Sequence, residues 1–175
     1  MIIKISSRKN ISFRQLLRYM IEGEERVLNS RIITHNLRSD HLEGWVKEFE
    51  VNESYRSRRR KNATVLTHEI LSWHPKDTPV MSLTTLESLT RQYIQSRNPN
   101  GLYVGAIHQA KDHFHVHLCV SGVEAKSGKA MRMSKGQLNR LKKTLEAYQR
   151  EKYPELFHSR VRHGRSKKKR IELTR

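Results

Sequence analysis

In the sequence AIHQAKDHFHVHLCV, residues 106–120, apolar and polar residues alternate on both sides of a short polar segment. Alternation with a period of two is typical of β-strands, and it predicts strands over residues 102–108 and 114–121. Two strands joined by so short a link must run antiparallel. The sequence therefore predicts a β-hairpin, and with it a sheet that is not purely parallel.

The predicted hairpin separates apolar side chains from histidines. We predict that Asp112 and His113 form a two-residue turn, which sets His108 opposite His117. Because side chains of a strand alternate between the two faces of a sheet, His108, His115 and His117 then share one face. The other face is a predicted core side, formed by Gly105, Ile107, Phe114, Val116, Leu118 and Val120.

Three imidazoles that converge from rigid strands predict a metal site with positions left open for substrate and water. A His-X-His pair alone more often has a structural or incidental role than a metal-binding one, and it is the third histidine that favours a metal. Asp112 either accepts a hydrogen bond from the second ring nitrogen of a histidine ligand, and so orients that imidazole, or is only a turn residue. The expected cofactor is a divalent ion, Mg or Mn, with Zn or Ni as alternatives.

Outside the hairpin, apolar spacing predicts further strands over residues 2–5, 31–34 and 63–73. Helices are predicted over residues 12–22, 40–53, 82–97 and 134–152, each with an apolar stripe at helical spacing. Together with the antiparallel hairpin, this order of elements predicts an α/β (α+β) fold.

The charge balance points to a polyanionic partner. The 175 residues include 35 Lys and Arg against 17 Asp and Glu, a formal net charge of +18. Self-repulsion on this scale opposes compaction unless a polyanion binds, and nucleic acid ranks ahead of an anionic membrane surface. In the basic run at residues 56–62 we expect phosphate contacts from Arg56, Arg58, Arg59, Arg60 and Lys61.

Three absences in the sequence bear on location. The single Cys119 rules out an internal disulfide, no stretch is long and apolar enough to span a membrane, and the opening residues do not resemble a secretory leader. We therefore expect a cytoplasmic protein without membrane insertion.

The histidine pattern has a second interpretation. HFHVHL, residues 113–118, also matches the alternating histidines of the histidine-triad nucleotide hydrolases, in which a histidine attacks a phosphate and no metal is required. Such enzymes act on small nucleotides, which would leave the charge of +18 unexplained. A basic DNA-binding accessory protein without catalytic activity is the third alternative.

Metal-assisted cleavage of a phosphodiester also needs an attacking oxygen. Activated water would hydrolyse the bond irreversibly, whereas a tyrosine would conserve its energy in a phosphotyrosine. Among the six tyrosines, Tyr55 lies beside the basic run and suits DNA contact, and Tyr19 lies near the end of the first predicted helix. Position alone leaves the choice of nucleophile open.

Three stretches resemble, in order, the motifs of the relaxase domain of plasmid mobilisation proteins, within the HUH endonucleases and closest to the P-type MOB class. SFRQLLRYM, residues 12–20, resembles the motif whose tyrosine attacks the nicking site. HEILSW, residues 68–73, resembles the motif with a serine that contacts DNA, and residues 106–117 resemble the motif with the metal-binding histidines. The resemblance covers residues 1–155 and implies Tyr19 as the nucleophile and Ser72 as a DNA contact.

The same resemblance implies a fold, a reaction and partners. The implied fold is an antiparallel sheet of about five strands with helices packed on it, followed by a basic tail at residues 156–175. The implied reaction is the nicking and rejoining of single-stranded DNA at a transfer origin through a 5′-phosphotyrosyl intermediate. Accessory relaxosome proteins and a coupling protein are implied as partners, in the bacterial cytoplasm. Asp112 is a catalytic candidate, and Glu69 is a candidate for holding a metal ligand in place.

Overall fold

Each predicted strand and helix is present in the computed structural model, which describes residues 1–23, 27–58, 60–110 and 112–160, with the backbone alone for residues 27–31. The strands are β1 (Ile2–Arg8), β2 (Val27–His35), β3 (Leu66–Ser72), β4 (Gly101–Gln109) and β5 (Phe114–Glu124). The helices are α1 (Phe13–Glu22), α2 (Leu42–Ser54), α3 (Leu83–Arg97) and α4 (Lys135–Lys152), with a short 3-10 helix at Pro75–Val80.

The strands form one sheet in the order β1-β3-β5-β4-β2, and every neighbouring pair is antiparallel. The predicted antiparallel sheet of about five strands is confirmed. The hairpin of β4 and β5 lies inside the sheet, where β3 and β2 cover its two edges. This position explains why both strands are buried along almost their whole length.

Helices cover both faces of the sheet. We call the face that carries His108 and His117 the histidine face; α1 and α2 pack on it. The amphipathic helix α1 buries its apolar stripe there, with each large side chain contributing about 1.5–3 kcal/mol of burial free energy. This core contains Phe13, Leu16, Leu17, Met20, Trp45, Val46, Phe49, Val104, Ala106 and Cys119. The opposite face packs on α3 and α4 through Leu86, Leu89, Tyr93, Leu141 and Leu145.

The hairpin pairs two residues away from the predicted register. His108 lies opposite His115, and the Ala110 N–H donates to the His113 carbonyl oxygen at 3.0 Å, so the reversal does not centre on Asp112 and His113. The prediction placed the turn by residue type, whereas the pairing is set by burial on both faces of the sheet. A slip of two residues leaves every side chain on its face, because the side-chain period of a strand is two. The shared histidine face is therefore unaffected.

The packed region extends past the expected domain end at residue 155. Leu156 and Ser159 are buried, and the amino terminus of Met1 donates to the Arg160 carbonyl oxygen at 2.7 Å. These contacts tie residues 156–160 to the body of the domain, so this part of the expected tail is folded. The rest of the tail, residues 161–175, lies outside the described residues. Within the described ranges, no helix has the length and apolar character needed to cross a membrane.

Candidate active site

Three histidines converge on the histidine face at one end of the β4–β5 hairpin. His108, His115 and His117 each offer one ring nitrogen, and these three atoms lie within 4.8 Å of one another. The ring centroids are 4.6 Å apart for His108 and His117, and 4.8 Å apart for His115 and His117. All three side chains are buried. Among the described residues, this is the group of side chains that could hold a metal ion.

Hydrogen bonds select the ring nitrogen that two of these histidines present. His108 Nε2 lies 2.7 Å from the Met20 carbonyl oxygen, so Nε2 carries the proton and Nδ1 is the nitrogen able to bind a metal. His117 Nδ1 lies 2.7 Å from His68 Nε2, which leaves His117 Nε2 to face a metal. Partners of this kind orient imidazole ligands and fix their tautomer. Helix α1 and strand β3 thus support the site from two sides.

His68 belongs to this site and was missed by the sequence-based prediction. It pairs with Cys119 across β3 and β5, and its ring stacks on His117 with 4.9 Å between centroids. The available signal was the alternation of His68 and Ser72 along one strand, which puts both on one face. That signal does not say which strand lies beside β3, so the contact with His117 became visible only in the folded sheet.

Burial lowers the pKa of both stacked histidines. The pKa of His117 falls from 6.5 to about 3, mainly through burial and then through the neighbouring histidines. The pKa of His68 falls to about 4, mainly through burial and then through the positive charges of Arg8 and Lys4. Both imidazoles are therefore neutral near neutral pH, and neutral imidazole is the form that binds a metal.

We expect the metal-free domain to lose stability as the pH falls from about 6.5 towards about 4. In this window the unfolded histidines bind protons, whereas folded His68 and His117 stay neutral until the pH approaches their lowered pKa values of about 4 and about 3. The unfolded state therefore binds more protons, and the free energy of unfolding decreases with falling pH. Urea unfolding in EDTA across this window measures the effect. A His117→Gln variant should show a smaller decrease, and an equal decrease would contradict the assignment.

Tyr19 lies on α1 directly beside the histidines. Its side chain is 55% exposed, while that of Met20, the next residue, is fully buried. The Tyr19 ring contacts His117 and His68 edge-on, at centroid distances of 5.9 Å and 6.1 Å. The same helical turn therefore holds His108 through the Met20 carbonyl oxygen and presents a tyrosine to solvent. An exposed phenol beside a buried imidazole cluster is accessible to a large substrate.

The sequence profile of one protein family matches residues 19–153, which is most of the chain; the family is described as "Relaxase: MobA/VirD2-like, nuclease domain". The chain belongs to this relaxase family. The match begins at Tyr19 and includes all three convergent histidines. It places the domain among the relaxases rather than the histidine-triad hydrolases. Comparison with curated proteins found no significant sequence match.

Solved structures of the MobM relaxase domain (MOBV; Mob_Pre) have the same fold as this relaxase domain. One of them is Mn-bound and contains 23 nucleotides of plasmid pMV158 oriT DNA, at pH 6.5. Its sequence is 13% identical to this chain and its TM-score is 0.65. The alignment covers 99% of this chain and 94% of the MobM chain. Another is Mn-bound with 22 nucleotides at pH 4.6, and it is 14% identical with a TM-score of 0.60. This alignment covers 98% of this chain and 95% of the MobM chain. MobM is of the MOBV class, and the P-type class of the present domain stays a prediction.

Two predicted site residues of the relaxase domain lie at the same end of the sheet as the histidines. Ser72 pairs with His115 across β3 and β5 and shares the histidine face. Asp112 lies in the link between β4 and β5, is exposed, and accepts a hydrogen bond from Thr78 Oγ1 through its backbone oxygen at 3.1 Å. Its carboxylate does not converge with the three histidine nitrogens. Both residues stay candidates for contact with the substrate.

Glu69 does not hold a metal ligand, contrary to the prediction. It follows His68 on β3, and because neighbouring side chains of a strand alternate, it lies on the opposite face of the sheet. There it is fully buried and accepts hydrogen bonds from the Tyr93 hydroxyl and, at 2.8 Å, from Thr67 Oγ1. Arg97 Nε lies 3.4 Å from its carboxylate and completes a buried polar cluster. The alternation that brings His68 to the histidines excludes Glu69 from them.

Arg56 is not available to DNA, and this prediction is also wrong. Its Nε and one terminal nitrogen donate to the Glu53 carboxylate at 2.6 and 2.9 Å, and both side chains are buried. The guanidinium is thus neutralised inside the fold. Arg59 lies outside the described residues. The exposed members of the basic run among the described residues are Arg58, Arg60 and Lys61.

Proposed function

We propose that this relaxase domain nicks and rejoins one strand of DNA at the transfer origin of a plasmid or other mobile element. The observation that carries the proposal is the edge-on contact of the exposed Tyr19 with His117, a member of the convergent cluster. A hydroxyl nucleophile beside a metal-binding group is what transesterification of a phosphodiester requires. The MobM structures support it, since a domain of the same fold is bound to oriT DNA in them.

In the proposed reaction, Tyr19 Oη attacks the scissile phosphorus, and the bond from phosphorus to the 3′ oxygen breaks as the new ester forms. The products are a 5′-phosphotyrosine on Tyr19 and a free 3′ hydroxyl. Because the ester energy is kept in the phosphotyrosine, the 3′ hydroxyl can attack in reverse and rejoin the strand. Asp112, exposed at the same end of the sheet, is the proposed acceptor of the Tyr19 proton.

His108, His115 and His117 are the proposed metal ligands. Their donor set fits a divalent ion, because the hydrogen bonds to Met20 and His68 leave one ring nitrogen of His108 and one of His117 for it. When bound, such an ion neutralises charge on the oxygens of the scissile phosphate. Imidazole ligands suit Mn, Zn and Ni, whereas Mg prefers oxygen ligands. Since the MobM structures hold Mn, we propose Mn or Mg as the working ion, with Zn or Ni able to occupy the site.

Single-stranded origin DNA is the proposed substrate. Ser72, which pairs with His115, is proposed to contact the strand near the cleavage point. Arg58, Arg60 and Lys61, which are exposed, are proposed to contact phosphates further away. Accessory relaxosome proteins and a coupling protein are proposed partners, because the strand must be exposed before nicking and passed on afterwards. This role implies the bacterial cytoplasm, where such DNA is located.

A denaturing gel tests the function. The domain is incubated with single-stranded DNA from the mobile element that encodes it, labelled at the 3′ end so that the phosphotyrosyl fragment carries the label. We expect a labelled covalent adduct with Mn²⁺ and none with EDTA. Salt-sensitive binding without adduct in either Mn²⁺ or Mg²⁺ would overturn the proposal in favour of the DNA-binding alternative.

Removing the His68 side chain should weaken metal binding. The His68→Ala change removes the partner of His117 Nδ1, and loss of such a partner typically costs about 10–100-fold in metal affinity. Calorimetric titration with Mn²⁺ measures this without any DNA. His68→Gln should recover part of the affinity because its side-chain oxygen can accept the same hydrogen bond. His35→Ala, far along β2, is the control; equal Mn²⁺ affinities for His68→Ala and His35→Ala would refute the supporting role.

A further inference from the structure

A basic groove of about 770 Å³ opens on the domain away from the histidines. One wall is the loop after α2, with Arg58 and Arg60. The other wall is the segment that leads into α4, with Arg132, and the first residue of that helix, Lys135. Part of its floor is apolar, with Met133 as one member. The groove therefore lies between two segments that are distant in sequence. Only the first of them belongs to the basic run at residues 56–62.

The cations of the groove differ in how they are neutralised. Arg56 and Arg97 also line it, but Glu53 and Glu69 neutralise them inside the fold. Arg58, Arg60, Arg132 and Lys135 are exposed, and within the described residues none of them forms an ion pair with an acidic side chain. No acidic residue lines the groove among those described. Four uncompensated positive charges around one groove attract a polyanion.

Lys135 adds positive charge to the groove from the beginning of α4. It occupies the first turn of α4, a turn that contains no acidic residue. A cation there opposes the helix dipole and is unfavourable by about 0.3–1 kcal/mol. The helix is well formed in spite of it, since Ser134 and Gln137 make a reciprocal capping box. Lys135 therefore adds charge to the groove at a position where it does not stabilise the helix.

The groove and the histidine site lie at different ends and on different faces of the sheet. Thr67 lines the groove and pairs with Val120, near the far end of β5, whereas the histidine site is at His115 and His117. Thr67 is also adjacent to His68 in sequence, so it projects to the opposite face. Along β5, Val120 is three residues from His117 and five from His115, which is about 10 Å and about 17 Å. A ligand in this groove cannot be the scissile phosphate.

The edge strand β1 connects the two sites. Lys4 and Arg8 lie on its histidine side, two residues either way from Ser6, which pairs with His68. Ile5 and Ser7, which alternate with them, line the groove on the other side. Positive charge therefore continues from the histidine site, around the open edge of the sheet, to the groove.

We propose that this groove binds the phosphodiester backbone of a DNA segment that flanks the cleavage site, and that the chain of the DNA passes over the edge of β1 to reach it. The proposal rests on the DNA substrate of the proposed function. No aromatic side chain lines the groove among the described residues, so bases have no ring to stack on and the contacts are to phosphates. Such contacts do not depend on base sequence.

Salt-dependent binding tests the groove. The probe is a fluorescent 40-nucleotide single strand of mixed sequence, in EDTA so that no cleavage occurs and the result does not depend on nicking. Two variants remove two charges each from opposite walls, Arg58→Gln with Arg60→Gln, and Arg132→Gln with Lys135→Gln. A control removes two exposed charges from α4 outside the groove, Lys143→Gln with Arg150→Gln. Melting temperatures establish that all three fold.

We expect each groove variant to lower the slope of log affinity against log salt by about 1.4, since each phosphate contact to a single strand contributes about 0.7. The affinity at 0.15 M salt should fall by roughly tenfold to thirtyfold. The control should lose much less. If the variant at Arg132 and Lys135 matches the control, the groove is not a binding site. That outcome would leave the proposed function intact, because the covalent adduct is measured separately.

Discussion

Replacing Tyr19 by phenylalanine is expected to abolish the covalent protein–DNA adduct, a loss on the order of 10⁴-fold or more, as for other removed nucleophiles. The change deletes one hydroxyl and keeps the ring that contacts His117 and His68 edge-on. Mn²⁺ affinity and DNA binding should therefore stay close to wild type while chemistry stops. The 3′-labelled gel assay and a Mn²⁺ titration on the same preparations measure both quantities.

Tyr55→Phe is the matched control. Tyr55 is similarly exposed, at 49% against 55% for Tyr19, but it lies at the end of α2 beside the basic loop. Removal of the Tyr55 hydroxyl should leave the amount of adduct at the wild-type level. If Tyr19→Phe forms the adduct at the wild-type rate, another group attacks the phosphate. If Tyr55→Phe then forms no adduct, Tyr55 is that group.

Replacing Glu69 by alanine is expected to destabilise the domain by about 3–5 kcal/mol. The carboxylate is fully buried, and its removal leaves the buried Arg97 guanidinium without its ion-pair partner. The Tyr93 hydroxyl and Thr67 Oγ1 lose their acceptor as well. Against a typical total stability of about 5–15 kcal/mol, the loss is large enough to unfold part of the population.

Urea unfolding measures the effect, with Glu87→Ala as its control. Glu87 forms an ion pair with Arg91 on the surface of α3, and exposed pairs of this kind contribute about 0–1 kcal/mol. Mn²⁺ affinity of the folded fraction of Glu69→Ala should remain that of wild type, because Glu69 and the histidines lie on opposite faces of the sheet. A drop in Mn²⁺ affinity without a drop in stability would restore Glu69 as a support of the metal ligands.

The central hairpin and its histidine face were predictable because both depend on contacts between neighbours in sequence. Alternation along β4 and β5 places His108, His115 and His117 on one face whatever the exact register, since a slip of two residues preserves it. Helical spacing likewise predicts the buried stripe of α1 that leaves Tyr19 exposed. The proposed role of Tyr19, however, came from family resemblance, because no local pattern distinguishes it from the other tyrosines.

Local patterns in the sequence predict the hairpin and the shared face of three histidines, and the net charge predicts a polyanionic partner. Four contacts became known from the folded domain alone. His68 supports His117, Glu69 faces the opposite side of the sheet, Glu53 neutralises Arg56, and the residues around the beginning of α4 form the second wall of the basic groove. One cause explains all four. Alternation and helical spacing are local properties of the chain, whereas the partner of a side chain depends on the strand order β1-β3-β5-β4-β2, which burial on both faces of the sheet selects.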